Sequence, residues 1–495
     1  MKCLTGFLIT LLTLASVNSM AEAQPPKAGE VKHEPYVFKA ANGETVDAGM
    51  GRLFAPENRR DPKSRLIELT FVRLKSRSKN PGPPIIYLVG GPGGQAISQV
   101  RTLFPLYSHL LEAGDLILLD QRGTGMSKPN LQCRERLNYP LDQPLERDHL
   151  LRLMKEQSRA CAQYWREQGV DLGGYNTNEN ADDVNALRQA LGIVKLNLFG
   201  TSYGTHLSLA VMRRHGEHLN RVIIAGIEGP DHTYKLPSQI QKNLEDIARI
   251  YRNDPQIGKD LPDLMGLLRT IGERLEQQPA TVEVTDPANQ QKVKVTVGKL
   301  DFQFFLTSLP GRVARIKSFP ATVYAMSKGD FTVLGETSLS VRRGSIGSAM
   351  SFMMDCASAV SPERWKRIGR EEKETLIGRL TDFPFPEICE AWNAPELEAS
   401  FRAPVKSQLP VLLISGELDG RTPASNAEEV RRGFPNGHHL IVEAAGHVDA
   451  TMFTPQTKEV MIEFLQGKPV TITKIPAPPL ELAPLKKEDS KAAVK

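Results

Sequence analysis

Several features are scarce or missing in this chain of 495 residues, and each absence narrows its class. Its 62 basic and 57 acidic residues leave a net charge of +5, spread along the chain, which argues against a nucleic-acid binder. Beyond the N-terminal segment no apolar run is long enough to span a bilayer. No C-x-x-C pair or Cys/His cluster has metal-site spacing, so no metal is expected. The glycine-rich stretch Gly90-Gly91-Pro92-Gly93-Gly94 lacks both the G-x-G-x-x-G spacing and the G-K-[ST] ending of phosphate-binding loops. No motif therefore calls for a cofactor, and there is no internal repeat.

What is present reads as an ordinary globular protein, 40% hydrophobic and 24% charged, of a length that suits one large domain with an insertion or two domains. Residues 1–23 have the pattern of a signal peptide. Lys2 starts it, Leu4 to Val17 is its apolar core, and Ala21-Glu22-Ala23 is its cleavage site. The alternative is an uncleaved anchor. An exported protein with no stable membrane anchor after cleavage, periplasmic or extracellular, is the expectation. Removing Cys3 with the signal leaves Cys133, Cys161, Cys356 and Cys389. Four cysteines allow three pairings, and their grouping suggests Cys133–Cys161 and Cys356–Cys389.

Short apolar runs at Leu66–Leu74, Pro84–Val89, Asp115–Leu119, Lys195–Phe199, Arg221–Ala225, Val411–Ser415 and His439–Glu443 read as strands of a buried sheet. Helical patterns lie between them, the clearest being Asp182–Leu191, closed by Gly192. The alternation predicts an α/β fold, a mostly parallel central sheet with helices on both faces. The sheet-forming parts are residues 24–232 and 409–467. Between them, residues 233–408 read as an inserted, mainly helical cap with a hairpin at Thr281–Val297. Residues 468–495, rich in proline and then in charge, read as a disordered tail.

Asn197-Leu198-Phe199 runs straight into Gly200-Thr201-Ser202-Tyr203-Gly204, and a helical pattern follows. Strand, G-x-S-x-G and helix together make Ser202 the candidate nucleophile, its hydroxyl exposed on a strained turn. A serine hydroxyl needs a base, and the base an orienting carboxylate. Asp419 and His447 follow Ser202 in the required order, each after a predicted strand, at the sheet edge where such sites assemble. Glu417 competes for the acid, Asp449 more weakly. His438 and His439 compete for the base, but they precede their predicted strand and should face the other edge. His206 reads as structural. The developing oxyanion needs two backbone donors, one from Tyr203 and one from the loop Gly90 to Gly94.

Gly90-Gly91-Pro92-Gly93-Gly94, Asp120-Gln121-Arg122-Gly123-Thr124-Gly125-Met126-Ser127 and Gly200-Thr201-Ser202-Tyr203-Gly204-Thr205 occur in that order. On these motifs the chain, over about Ile85 to Asp449, resembles the α/β-hydrolase serine peptidases that include proline iminopeptidases and tripeptidyl aminopeptidases. The resemblance implies an α/β-hydrolase fold, a Ser202, Asp419 and His447 triad, and Gly91 with Tyr203 as oxyanion donors. It also implies that Asp120 to Ser127 buttresses the site, with Arg122 in a structural ion pair, and it supports the Cys133–Cys161 pairing. Two positions depart from the family pattern. Val89 stands where many iminopeptidases carry a histidine, and Gly226-Ile227-Glu228-Gly229-Pro230 stands where exported members more often show Asp-Gly-Val-Val.

The expected chemistry is acyl transfer to water through an acyl-enzyme on Ser202, with a peptide or small acyl compound as substrate. An exopeptidase must also bind a free amino terminus, and a carboxylate does so economically. Glu228, after a core strand, is the first candidate for that role; Asp355, in the cap beside Cys356, is the second. Three activities fit this pattern: a secreted aminopeptidase, an esterase or amidase on the same triad, and a non-catalytic binding protein on a hydrolase scaffold.

Overall fold

The computed structural model describes residues 25–447 and 454–485. The expected signal segment, Asp449 and residues 486–495 lie outside them. Ten strands form one sheet: β1 (Val31–Lys39), β2 (Thr45–Pro56), β3 (Leu66–Leu74), β4 (Ile85–Leu88), β5 (Leu116–Leu119), β6 (Leu196–Thr201), β7 (Leu219–Ala225) and, after a hairpin of β8 (Ala280–Thr285) and β9 (Lys292–Val297), β10 (Val411–Gly416), β11 (Gly437–Val442) and β12 (Lys474–Ile475). Their order is β1-β2-β3-β5-β4-β6-β7-β10-β11-β12. The strands from β5 to β12 in that order pair in parallel, while β1, β2 and β3 join as an antiparallel extension.

The parallel strands are apolar at almost every position because both faces are covered. Leu88, Leu198, Ile224 and Leu413 pack on one side with Val184, Leu187, Leu207 and Val211. Tyr87, Phe199, Ile223 and Leu412 pack on the other with Val460, Met461 and Phe464. Each such fully buried side chain stabilises the fold by about 1.5–3 kcal/mol. The principal helices are α1 (Arg147–Glu167), α2 (Thr177–Ala190), α3 (Tyr203–His215), α4 (Pro237–Asn253), α5 (Leu264–Gln277), α6 (Lys299–Thr307), α7 (Val313–Ser327), α8 (Thr332–Arg342), α9 (Ala349–Ser358) and α10 (Pro455–Leu465). Among the described residues no helix is long and apolar enough to cross a membrane.

The chain between β7 and β10, two neighbours in the sheet, holds α4 to α9 and the β8–β9 hairpin, and we call it the cap. It has a core of its own, in which Leu244, Ile247 and Tyr251 of α4 meet Leu268, Phe302, Phe319 and Val323. Cys133 is bonded to Cys161, and Cys356 in α9 to Cys389. Each bridge contributes roughly 3 kcal/mol by restricting the unfolded chain.

The segment after 467 differs from the expected disordered tail. Lys474 and Ile475 pair with Ile441 and Val442 as β12, and the Ala483 amide donates to the Lys317 carbonyl of α7 at 2.9 Å. Leu480, Leu482 and Leu485 pack against the cap core. Its prolines suit an extended strap without conferring disorder. His438 lies within β11, which starts two residues ahead of the expected strand, and both it and His439 sit beside Leu412 and Leu413 at the strand's amino end.

Candidate active site

Ser202 sits at the junction of β6 and α3 with φ 55° and ψ −127°, a conformation that non-glycine residues rarely adopt. Glycines permit the tight packing around it. A Cβ on Gly200 would lie 2.4 Å from the Gly204 carbonyl, and one on Gly204 would lie 1.9 Å from that of Leu88. The turn is thereby pressed against β4.

The Ser202 Oγ lies 2.9 Å from Nε2 of His447, whose Nδ1 lies 2.9 Å from Oδ2 of buried Asp419. Asp419 Oδ1 accepts the backbone amides of Arg421 and Thr422, both at 2.9 Å, which fixes the carboxylate plane. The Thr422 hydroxyl adds a third support, donating to Asp419 Oδ2 at 2.8 Å and lying 3.0 Å from His447 Nδ1. Thr422 is absent from the residues singled out in the sequence. Its signal is local: it lies three residues after the acid, in an Asx-type turn. Gly226, at φ 63°, lies against the imidazole, where a Cβ would be 3.1 Å from His447 Cε1.

The competitors are engaged elsewhere. Glu417 accepts the Ala444 amide at 3.1 Å. His439 pairs with Glu428 and Ser415, and His438 meets the Ile472 carbonyl. His206 is buried between the Gly229 carbonyl (3.0 Å) and the Ser358 hydroxyl (3.3 Å).

Gly90 of the glycine loop abuts the nucleophile, for a Cβ there would be 2.7 Å from Ser202 Cβ. Gly91 and Gly93 have φ of 126° and 99°, which favours glycine at both. Among the described residues no acceptor is bonded to the Gly91 or Tyr203 amide. Gln121 Nε2 donates to the Val89 carbonyl at 3.0 Å, so the D-Q-R-G segment braces this loop. Arg122, fully buried, makes paired bonds of 2.7 and 2.8 Å to Asp183. Its role is to tie that segment to α2.

Glu228 follows β7. Its amide donates to Thr205 Oγ1 at 2.7 Å, and that hydroxyl is 2.7 Å from the Ser202 carbonyl. The carboxylate pairs with Lys235 Nζ at 3.0 Å. Burial works to raise its pKa, but the Lys235 ammonium offsets this and holds it below the usual glutamate value. Two further carboxyls share that cation. Burial pushes Asp382 up to about 6, although its Oδ2 accepts the Lys235 amide at 2.8 Å. Burial, reinforced by the Glu228 charge, raises Asp355 well above the usual carboxylate range. Among the described residues none hydrogen-bonds the Asp355 carboxyl. The cluster thus holds three carboxyls and one ammonium, and it acts electrostatically on Tyr203, next to the nucleophile. Neither Lys235 nor Asp382 stands out in the sequence, because their meeting depends on how the cap folds back.

Among the described residues, one group has metal-ligand types within reach of one another: Cys133, Glu135 and Cys161. Its two sulfurs are bonded to each other, so it offers no thiolates.

Residues 83–450 match the alpha/beta hydrolase fold family. The chain is 27% identical over 434 residues to the tripeptidyl aminopeptidase of Streptomyces coelicolor, covering 79% of this chain and 76% of that one. It is 26% identical over 226 residues to the serine protease Hip1 of Mycobacterium tuberculosis, covering 43% of each. To carboxylesterase B of Mycobacterium tuberculosis it is 22% identical over 471 residues, covering 86% of this chain and 88% of that one. With a glycine-framed serine, a hydrogen-bonded imidazole and a buried carboxylate at the carboxyl edge of its sheet, the chain belongs to the alpha/beta hydrolase fold family, as a serine hydrolase.

Proposed function

We propose that the protein is an exported aminopeptidase that cleaves peptides near their free amino terminus through an acyl-enzyme on Ser202. His447 takes the proton of the Ser202 hydroxyl as its Oγ attacks the carbonyl carbon, and Asp419 orients the imidazole and stabilises its charged form. The amides of Gly91 and Tyr203 receive the oxyanion. The tetrahedral intermediate collapses with expulsion of the amine, which takes the proton from His447. Water activated by the same imidazole then releases the acyl group.

The observation that carries the peptidase reading is the carboxyl cluster of Glu228, Asp355 and Asp382 around a single Lys235. Arg364 and Arg421 also act on Asp382, and the His206 and His232 rings on Glu228, whereas Asp355 has Lys235 as its one cationic influence, so the α-ammonium of a peptide would supply the partner that Asp355 lacks. Glu228 is held ionised, and Asp355 is free to accept. The similarity to a tripeptidyl aminopeptidase over most of both chains supports the same reading. The similarity to a carboxylesterase favours a second one, hydrolysis of small acyl esters by the same triad.

Ser202→Ala should lower turnover by several orders of magnitude, the scale of triad removal. Near-normal hydrolysis by that variant would exclude Ser202 as nucleophile. Glu228→Gln, assayed on peptide amides with free and N-acetylated termini, separates the readings. The peptidase reading expects a selective loss on the free-amine substrate. Equal losses on both, or none, would remove Glu228 from amine recognition, and turnover of esters alone would favour the esterase.

A further inference from the structure

The loop that supplies the Gly91 amide has little to hold it in place. Gly90, Gly91, Gly93 and Gly94 bring no side chains, so the loop depends on bonds made by its neighbours. Within the core these are the Gly94 amide on the Gly90 carbonyl at 3.0 Å and Gln121 on the Val89 carbonyl at 3.0 Å. The first joins the loop's two ends and the second holds its start. The Pro92 carbonyl, one residue beyond the Gly91 amide, is held from outside the core: Ser351 Oγ of α9, in the cap, donates to it at 2.7 Å.

The Ser351 hydroxyl is itself fixed. Ser348, buried at the amino terminus of α9, places its Oγ 2.9 Å from Ser351 Oγ and accepts the Ser351 amide at 3.2 Å. The same end of the helix is anchored to the core by the Ala349 amide on the Leu131 carbonyl at 2.9 Å and the Cys133 amide on the Gly347 carbonyl at 3.0 Å. The fit is close, since a Cβ on Gly93 would lie 2.3 Å from Ser351 Oγ. A side chain at residue 93 would therefore displace the contact.

We infer that Ser351 is a positioning residue for the oxyanion loop, through which the cap sets the Gly91 amide for catalysis. The bond holds the Pro92–Gly93 peptide plane, two planes beyond the one that carries the Gly91 amide; because the Pro92 ring restricts one torsion between them, holding that plane limits how far the Gly91 amide can turn from the oxyanion. Asp355 lies four residues further along α9, on the same helix face, so one short helix carries both the strap on the oxyanion loop and a carboxyl of the amine-binding cluster. The inference rests on the Ser202 hydrolase reading, and it holds for an ester as for a peptide.

The test compares wild type, Ser351→Ala, Ser351→Thr and Ser351→Cys as full chains. kcat and KM are measured on a p-nitrophenyl ester and on a free-amine peptide amide, together with inhibition by phenylboronic acid, whose tetrahedral serine adduct occupies the oxyanion site. Loss of a whole oxyanion donor costs about 10²–10³ in kcat, so loss of its positioning strap should cost Ser351→Ala roughly tenfold to a hundredfold on both substrates. KM should stay within about twofold, and boronate affinity should fall in step with kcat. Ser351→Thr, which keeps the donor, should recover most of the activity. Ser351→Cys, nearly isosteric and a weaker donor, should fall between and gives the answer if alanine impairs folding. An unchanged kcat in both the alanine and cysteine variants would overturn the inference, as would a kcat loss without a boronate effect. A loss confined to the free-amine amide would also overturn it, by assigning Ser351 to amine recognition. Ester-only turnover by wild type would refute the peptidase reading alone, since the Ser351 comparison still runs on the ester.

Discussion

Removing the ammonium from the carboxyl cluster should destabilise the protein in a way that depends on pH. Lys235 Nζ is bonded to Glu228 Oε2 at 3.0 Å and to the His232 and Thr233 carbonyls at 3.0 and 3.2 Å. The side chains of Lys235 and Glu228 are only 12% and 9% exposed, so water cannot replace the lost partner. Deleting one member of a buried pair costs about 3–5 kcal/mol, mostly from the charge left behind. Lys235→Met should therefore lower the melting temperature at pH 8 by roughly 3–5 °C, at about 1 °C per kcal/mol for a chain of this length, whose unfolding entropy is about 2.1 cal/mol/K per residue.

The pH dependence follows from Glu228. In the wild type its folded pKa is depressed, so its stabilisation is present above the ordinary value of 4.5 and is lost as pH falls through the folded value. In Lys235→Met burial loses the main charge that opposes it and the Glu228 pKa rises, so the variant's penalty grows as pH rises above 4.5. The two melting curves should lie close together at pH 4 and separate steadily towards pH 8. Glu228→Gln in the Lys235→Met background should recover most of the loss, because the amide carries no charge to strand. Melting scans from pH 4 to pH 8, with both disulfides intact, measure all of this. An equal loss at pH 4 and pH 8, or no rescue by the double variant, would refute the view that the pair is held by charge.

Two further outcomes are expected. Asp382 has a folded pKa of about 6 against an ordinary 3.8, so its contribution to stability declines as pH rises between those values, by about 3 kcal/mol in full. Asp382→Asn, which can still accept the Lys235 amide, should stabilise the protein at pH 8 and change little at pH 4; a destabilised variant at pH 8 contradicts the sign. Truncation after Ile475 removes Leu480, Leu482 and Leu485 from the cap core together with the Ala483–Lys317 bond. It should cost about 3 kcal/mol of apolar burial. Hydrogen exchange should quicken in α4 and α7 but not in β6 or β7, and unchanged exchange in α7 would show that the strap holds nothing.

What could be read in the sequence, and what could not, follows from where each group finds its partners. The seven strands expected from apolar runs are all in the sheet, because strands covered on both faces leave an uninterrupted apolar trace. β1 and β2 left no such trace: at the sheet's edge β1 alternates half-buried and exposed residues, as in Glu34-Pro35-Tyr36-Val37. α2 begins at Thr177, ahead of the expected Asp182, for a related reason. Its first turn is buried through polar contacts, with Thr177 on Tyr203, Glu179 on Arg59 and Asn180 on Gln121. An apolar period cannot report such a face. Ser202, Asp419 and His447 were legible because each follows a strand of the sheet, so their order in the chain already carries their position in space. Lys235, Asp355, Asp382 and Ser351 reach the site through the cap, whose helices return to the core by tertiary packing with no fixed spacing. Local spacing could therefore nominate a nucleophile and its partners, whereas the groups around them had to await the folded cap. Those groups are the carboxyls proposed to meet a substrate amine and the hydroxyl inferred to steady the oxyanion loop, so on that reading selectivity and catalytic geometry depend on the part of the sequence that is hardest to read.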